Sequence, residues 1–128
     1  YNDSIGSSPS RTIAGLQTFR QKVILIAGGY DKHIPFDELG NEICLHVKKL
    51  YLTGATTEKI YDAVINSKYY DGKLPIEKIY DFKETVLAAA NAAQYGDIVL
   101  LSPACAAFDK FKNFMERGKY FKQIVMEL

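Results

Sequence analysis

Five consecutive apolar residues, Val23-Ile24-Leu25-Ile26-Ala27, run straight into Gly28-Gly29. No polar residue alternates through the run, so it reads as a strand covered on both faces. Ile98-Val99-Leu100-Leu101 reads the same way and ends on a turn of small residues, Ser102-Pro103-Ala104-Cys105. Two weaker runs lie between them. Residues 48–53 set Leu50 and Leu52 against Tyr51, and Pro75-Ile76-Glu77-Lys78-Ile79-Tyr80 reads as a short strand near a sheet edge.

Helical patterns separate these strands. Phe36, Leu39, Ile43 and Val47 recur at three- and four-residue steps, with Pro35 suited to the first turn. Thr56-Thr57-Glu58 opens a second helix reaching about Lys68, with Ile60, Val64 and Ile65 inward. Asp81 is placed to cap a third, from Phe82 to about Tyr95, carrying Val86, Leu87, Ala90 and Ala93 on one face and stopped by Gly96. A helix from about Ser10 to Phe19 precedes the first strand, and the tail from Asp109 reads as helix, broken or bent near Gly118. This alternation predicts an α/β fold of three layers: a mostly parallel, twisted sheet with helices on both faces.

At 128 residues the chain fits a single domain, residues 1–128, with a real core. A formal net charge of +1 argues against a large electrostatic footprint for nucleic acid. No apolar run approaches the length of a membrane span. Cys44 and Cys105 read as two reduced thiols, and with His33 and His46 they lack metal-ligand spacing, so no metal site is expected. The first residue is Tyr rather than Met, which reads as a fragment or a processed chain.

Three segments carry chemistry. In Gly28-Gly29-Tyr30-Asp31-Lys32 the glycines let the backbone approach a ligand, and Lys32 offers a mobile ammonium suited to a carboxylate. By residue types alone a tight turn with a solvated lysine is the plainer reading. Neither G-x-G-x-x-G nor G-x-x-x-x-G-K-[ST] occurs, so no complete phosphate-binding glycine motif is present. The second segment, residues 2–12, is a Ser, Gly and Pro loop in which Ser10 is placed to cap the next helix and the amides near Ser7 and Ser8 suit an anion. A hinge and a capped helix explain it equally well. In the third, after residues 98–101, small residues 104–107 allow close backbone approach at the carboxyl end of a buried strand, where open α/β sheets put ligands. Cys105 reads as a small buried thiol rather than a nucleophile. Phe108, Phe111 and Phe114 recur every three residues, as core packing would require, and Arg117 reads as pairing with an acid to stabilise the tail.

Taken in order, Asn2-Asp3-Ser4, Gly28-Gly29-Tyr30-Asp31-Lys32 and the run from Ser102 to Gly118 (S-P-A-C-A-A-F-D-x-F-K-N-F-x-E-R-G) resemble the Mur ligases that add D-glutamate to UDP-N-acetylmuramoyl-L-alanine. The resemblance covers essentially the whole chain and implies the C-terminal, amino-acid-binding domain of a longer cytoplasmic enzyme of peptidoglycan synthesis. It implies that Ser7, Lys32, Ala107, Phe108 and Phe114 surround D-glutamate and that Asp3 contacts the ATP ribose at a hinge. Many members carry Ser where this chain has Ala107, so only a backbone contact carries over there. A well-known version has Lys where this chain has Ile5, and Arg11 is the nearest candidate to replace that charge. ATP and Mg²⁺ are then bound mainly by the central and N-terminal domains, so this chain alone should be inactive and holds no catalytic residue of its own. Two other classes stand beside this one: a stand-alone Rossmann-like nucleotide-binding protein and a non-catalytic interaction module.

Overall fold

A computed structural model describes residues 1–4, 6–105 and 111–128. Four strands, β1 (Val23–Ala27), β2 (Val47–Leu52), β3 (Ile76–Lys78) and β4 (Val99–Leu101), form a sheet of order β3-β2-β1-β4 in which every pair is parallel. Five helices lie among the described residues: α1 (Pro9–Leu16), α2 (Asp37–His46), α3 (Thr57–Ile65), α4 (Phe82–Ala92) and α5 (Phe114–Met126). The expected three-layer α/β architecture is therefore the observed one.

The two faces of the sheet bury different sets of side chains, as the two-residue period of a strand requires. Val23, Leu25 and Ala27 of β1 join Leu50 and Leu52 of β2 beneath Leu16, Leu39, Ile43, Ile60 and Val64 from α1, α2 and α3. Ile24, Ile26, Tyr51 and Leu101 point the other way, against Phe82, Val86 and Ala89 of α4 and Phe121 and Ile124 of α5. Strand β1 is buried at every position, which is why its sequence has no polar alternation.

Handedness explains the arrangement. Crossovers from β1 to β2 and from β2 to β3 step in one direction with α2 and α3 on one face. The return from β3 to β4 steps back past β1 with α4 on the opposite face, so each connection stays right-handed. Strand order thus reverses at β1. Beyond β4, residues 1–3 pair parallel to it through an isolated bridge, Asn2 to Leu101.

Several expected boundaries shift. Helix α1 begins at Pro9 with Ser8 at its N-cap, so Ser10 lies inside the helix and does not cap it. Pro35 precedes the N-cap, Phe36, instead of lying in the first turn of α2. Helix α4 ends at Ala92, because Ala93 turns extended, and its inward face is Phe82, Thr85, Val86 and Ala89; Leu87, Ala90 and Ala93 are only half-buried. Helix α5 starts at Phe114, where the Asn113 side chain accepts the amide of Glu116 at 3.0 Å, and it runs unbroken through Gly118. Tyr51 lies in an interior strand and is buried, because β3 pairs outside β2.

Two local features give measurable tests. Asp81 caps α4 by accepting the Glu84 amide at 2.9 Å. Gly28 has φ +118°, and a Cβ there would lie 1.9 Å from the Thr53 carbonyl oxygen. In urea unfolding, Asp81→Ala should cost about 1 kcal/mol. Gly28→Ala should cost more than about 2 kcal/mol, because backbone strain and overlap act together.

Candidate functional site

Reversal of strand order at β1 makes the loops after β1 and β4 diverge, and the crevice between them is the expected ligand position of an open α/β sheet. Backbone bonds join three segments there. The Gly28 amide donates to Pro103 O at 2.8 Å, the Ala104 amide to Gly6 O at 2.8 Å, and the Asp3 amide to Leu101 O at 2.7 Å. The N-terminal segment, the loop after β1 and the turn after β4, far apart in sequence, thus share one frame.

A hydroxyl network locks the first of these segments. Ser102 Oγ lies 2.6 Å from Asp3 Oδ2 and 3.0 Å from Thr12 Oγ1, and Thr12 Oγ1 is 3.2 Å from the Ser102 carbonyl. A carboxylate only accepts, so Ser102 Oγ donates to Asp3 Oδ2, while Thr12 Oγ1 donates its own proton to the Ser102 carbonyl. Gly6 is required beside this contact, since a Cβ there would lie 2.9 Å from both Asp3 Oδ2 and Ser102 Oγ. Thr12 is fully buried on the inner side of α1.

The second fastening comes from α5. Arg117 is 2% exposed and is among the largest fully buried side chains of the described residues. Its Nε donates to Ser4 Oγ at 3.0 Å, Nη1 to Cys105 O at 2.8 Å, and Nη2 to Ser4 O at 2.6 Å, with Ser7 Oγ at 3.4 Å. Ser4 Oγ in turn donates to Phe114 O at 2.6 Å, and Asn2 Nδ2 to Gly118 O at 2.9 Å. A Cβ on Gly118 would sit 3.1 Å from Ser4 Cβ, so the absence of a side chain lets α5 close on this segment.

Between the fastened segments lies a narrow cleft with room for about one water, bordered by Ser7, Tyr30, Lys32, Ile34, Phe36, Ala104 and Cys105. Among the described residues the ammonium of Lys32 has no ion-pair or hydrogen-bond partner, and the side chain is exposed. Ser7 is half-buried. Cys105 is buried with its thiol 3.2 Å from Thr56 Oγ1, which also accepts the Gly29 amide at 3.1 Å; it packs the loop after β1 against the start of α3. Ala104 and His33 flank the cleft with φ of +63° and +61°, a left-handed conformation that costs roughly 1–2 kcal/mol for a residue with a Cβ. Each is held by neighbours: Ala104 by its bond to Gly6, and His33 by its amide donating to Asp31 Oδ1 at 2.7 Å. Asp31 is ion-paired with Lys59 of α3. The Lys59 bond and the His33 amide together hold the Asp31 carboxyl below the usual carboxylate range.

The family model described as "Mur ligase, glutamate ligase domain" matches residues 1–105. This chain belongs to the Mur ligase family. It is 54% identical over 129 residues to the UDP-N-acetylmuramoylalanine--D-glutamate ligase of Clostridium botulinum, covering 100% of this chain and 28% of that protein. The ligase of the same name from Acetivibrio thermocellus is 55% identical over 128 residues, covering 98% of this chain and again 28% of the relative. The chain thus spans little more than a quarter of the length of these relatives. Its fold also resembles the solved UDP-N-acetylmuramoyl-L-alanyl-D-glutamate--2,6-diaminopimelate ligase, with a TM-score of 0.56 at 21% identity over 75% of this chain and 22% of that one.

Among the residues expected from the Mur ligase pattern, Ser7 and Lys32 border one cleft, although 25 positions apart in sequence (32 − 7). Asp3 is not in the described lining of the cleft; one of its carboxylate oxygens is engaged by Ser102. Phe114 is not brought into the described lining of the cleft: its side chain is 38% exposed, and its carbonyl serves Ser4. Ala107, Phe108 and Ile5 lie outside the described residues. Among the described residues, no group of three His, Cys, Asp or Glu side chains comes together as a metal would require. Sequence reasoning missed Thr12, Ser4 and the full reach of Arg117. The signal for Thr12 was a hydroxyl on the inward face of a short helix, next to leucine and isoleucine positions.

The Asp31 clamp sets a pH dependence for the loop that carries Lys32. A carboxylate held low stabilises the loop above its ordinary unfolded pKa, and that contribution is lost as pH falls through the lowered folded value. Carbon-detected titration should therefore find the Asp31 midpoint below the ordinary carboxylate value, with the His33 amide resonance following it. Lys59→Met should raise that midpoint and leave the titrations of distant carboxylates unchanged.

Proposed function

We propose that this chain is the C-terminal, amino-acid-binding domain of an ATP-dependent ligase that joins D-glutamate to UDP-N-acetylmuramoyl-L-alanine in peptidoglycan synthesis. The observation that carries this reading is the exposed ammonium of Lys32, without a partner among the described residues, bordering the same cleft as the Ser7 hydroxyl where strand order reverses. A fixed hydroxyl and an unpaired cation beside a crevice suit a carboxylate, and D-glutamate brings two. The relatives' names suggest the substrate class, and the residues bordering the cleft suit its charge.

In the reaction, the carboxylate of UDP-N-acetylmuramoyl-L-alanine takes the γ-phosphoryl group of ATP, releasing ADP. The amine of D-glutamate attacks the acyl phosphate, loses a proton, and the tetrahedral intermediate expels phosphate to leave the amide. This chain's part is to orient the amine by holding the carboxylates of D-glutamate at Lys32 and Ser7. Asp3, whose carboxylate is oriented by Ser102, is the residue we assign to a ribose hydroxyl of ATP. Mg²⁺, when bound, offsets the charge on the transferred phosphoryl group. Its ligands, like the rest of the ATP and UDP sites, are assigned to the central and N-terminal domains. A UDP-linked substrate and ATP assign the work to the cytoplasm.

The chain alone should bind D-glutamate weakly and should not turn over. Titration with D-glutamate, followed through backbone amide signals, should shift Ser7, Lys32, Ala104 and Cys105. Lys32→Ala should weaken the response by about two- to fivefold, the scale of a solvent-screened ion pair. Shifts confined to residues remote from Lys32 would count against the site, and ligation by the isolated chain would overturn the assignment of the remaining machinery to other domains.

A further inference from the structure

We propose that Arg117 is a positioning residue for the D-glutamate cleft, acting through Ser4 and Ser7 from behind the pocket; this rests on the functional reading above. The geometry is specific. Its guanidinium donates to Ser4 Oγ, Ser4 O and Cys105 O, and reaches Ser7 Oγ at 3.4 Å. The fixed fork of arginine lets one side chain bond acceptors on two segments at once, which a lysine ammonium cannot reproduce with the same directions. Arg117 thereby sets the distance between the segment carrying Ser7 and the turn carrying Cys105, and both border the cleft.

The same bonds settle which way hydroxyl protons point. Ser4 receives Arg117 Nε and donates to Phe114 O, so its donor and one acceptor position are both used. Ser7 receives Arg117 Nη2, and among the described residues its own proton has no acceptor. Ser7 is therefore left as a donor toward the cleft, the polarity a substrate carboxylate requires. The positive charge lies one hydroxyl behind the ligand position.

The test uses Arg117→Lys, Ser7→Ala and the double variant, with D-glutamate as the ligand. Each single change should weaken D-glutamate binding about tenfold, the scale of one hydrogen bond to a charged group. The double variant should be little weaker than either single one, because both changes act through the Ser7 hydroxyl. A second readout needs no ligand. The Ala104 amide, bonded to Gly6 O across the two clamped segments, should exchange with solvent at least tenfold faster in Arg117→Lys, while the Leu50 amide in the sheet is unchanged. If Arg117→Lys fails to fold, Ser4→Ala removes one partner of the guanidinium at little cost in volume and should give the same acceleration at smaller amplitude. Unchanged Ala104 exchange in the folded variant, or additive losses in the cycle, would overturn the proposal. A native chain that shows no response to D-glutamate would sink the functional reading instead, with the exchange at Ala104 still judging whether Arg117 holds the two segments together.

Discussion

Right-handed crossover connections are the constraint on which the rest of this molecule hangs. Once β1 pairs with β2 on one side and β4 on the other, α2 and α3 must cover one face and α4 the opposite one. The loops leaving β1 and β4 then diverge over the carboxyl ends of the strands. The glycines after β1 and the small residues after β4 occupy that opening, where bulkier side chains would fill it. Placing a cleft here needs no dedicated element; it follows from strand order and from which residues end the two strands.

The bonds that fasten the segments around the cleft are polar. Hydrophobic burial holds the two faces of the sheet, but the N-terminal segment is joined to the sheet and to α5 by hydroxyls, amides and one guanidinium. A buried charge is costly unless its donors are met. Arg117 donates to serine and carbonyl oxygens brought from residues 4, 7 and 105. Such bonds have direction, whereas apolar packing does not. They fix the register between segments to a fraction of an ångström, which a binding site needs and a core does not. The left-handed backbone at Ala104 and His33 belongs to the same pattern: strain is accepted beside the cleft and held in place by bonds from Gly6 and Asp31.

How far the sequence anticipates this depends on the range of the interactions. Strand β1 and the faces Leu39–Ile43 and Ile60–Val64 were legible because burial repeats with the local period of each element. The Asp81 cap was legible because its acceptor lies three residues away. The start of α5 was not: the aromatic spacing from Phe108 suggested helix from Asp109 on, whereas Asn113 caps it later, and Phe111 instead packs edge-on against Phe82 at 5.1 Å. Gly118 suggested a break by composition alone, but its partner Ser4 is 114 positions away (118 − 4), and close approach to that residue is what the glycine serves. Lys32 and Ser7 could be named by resemblance. The reason they meet, namely the bond from Ala104 to Gly6 and the guanidinium behind both segments, is long-range and leaves no local period to read.

The cleft divides into a fixed wall and a free one, and that division bears on how it can work. Ser7, Ala104 and Cys105 are held from behind by buried bonds. Lys32 stands on an exposed loop, tethered through Asp31 to Lys59, with its ammonium in water. A carboxylate paired with an exposed lysine gains little, because solvent screens the pair. The same pair gains several-fold more once water is excluded, since the attraction scales inversely with the local dielectric. The fixed wall therefore carries the geometry and the lysine carries affinity that is realised on closure. A surface that covers Lys32 without moving the Arg117 bonds would strengthen the hold on an anion while leaving its orientation as the sheet set it.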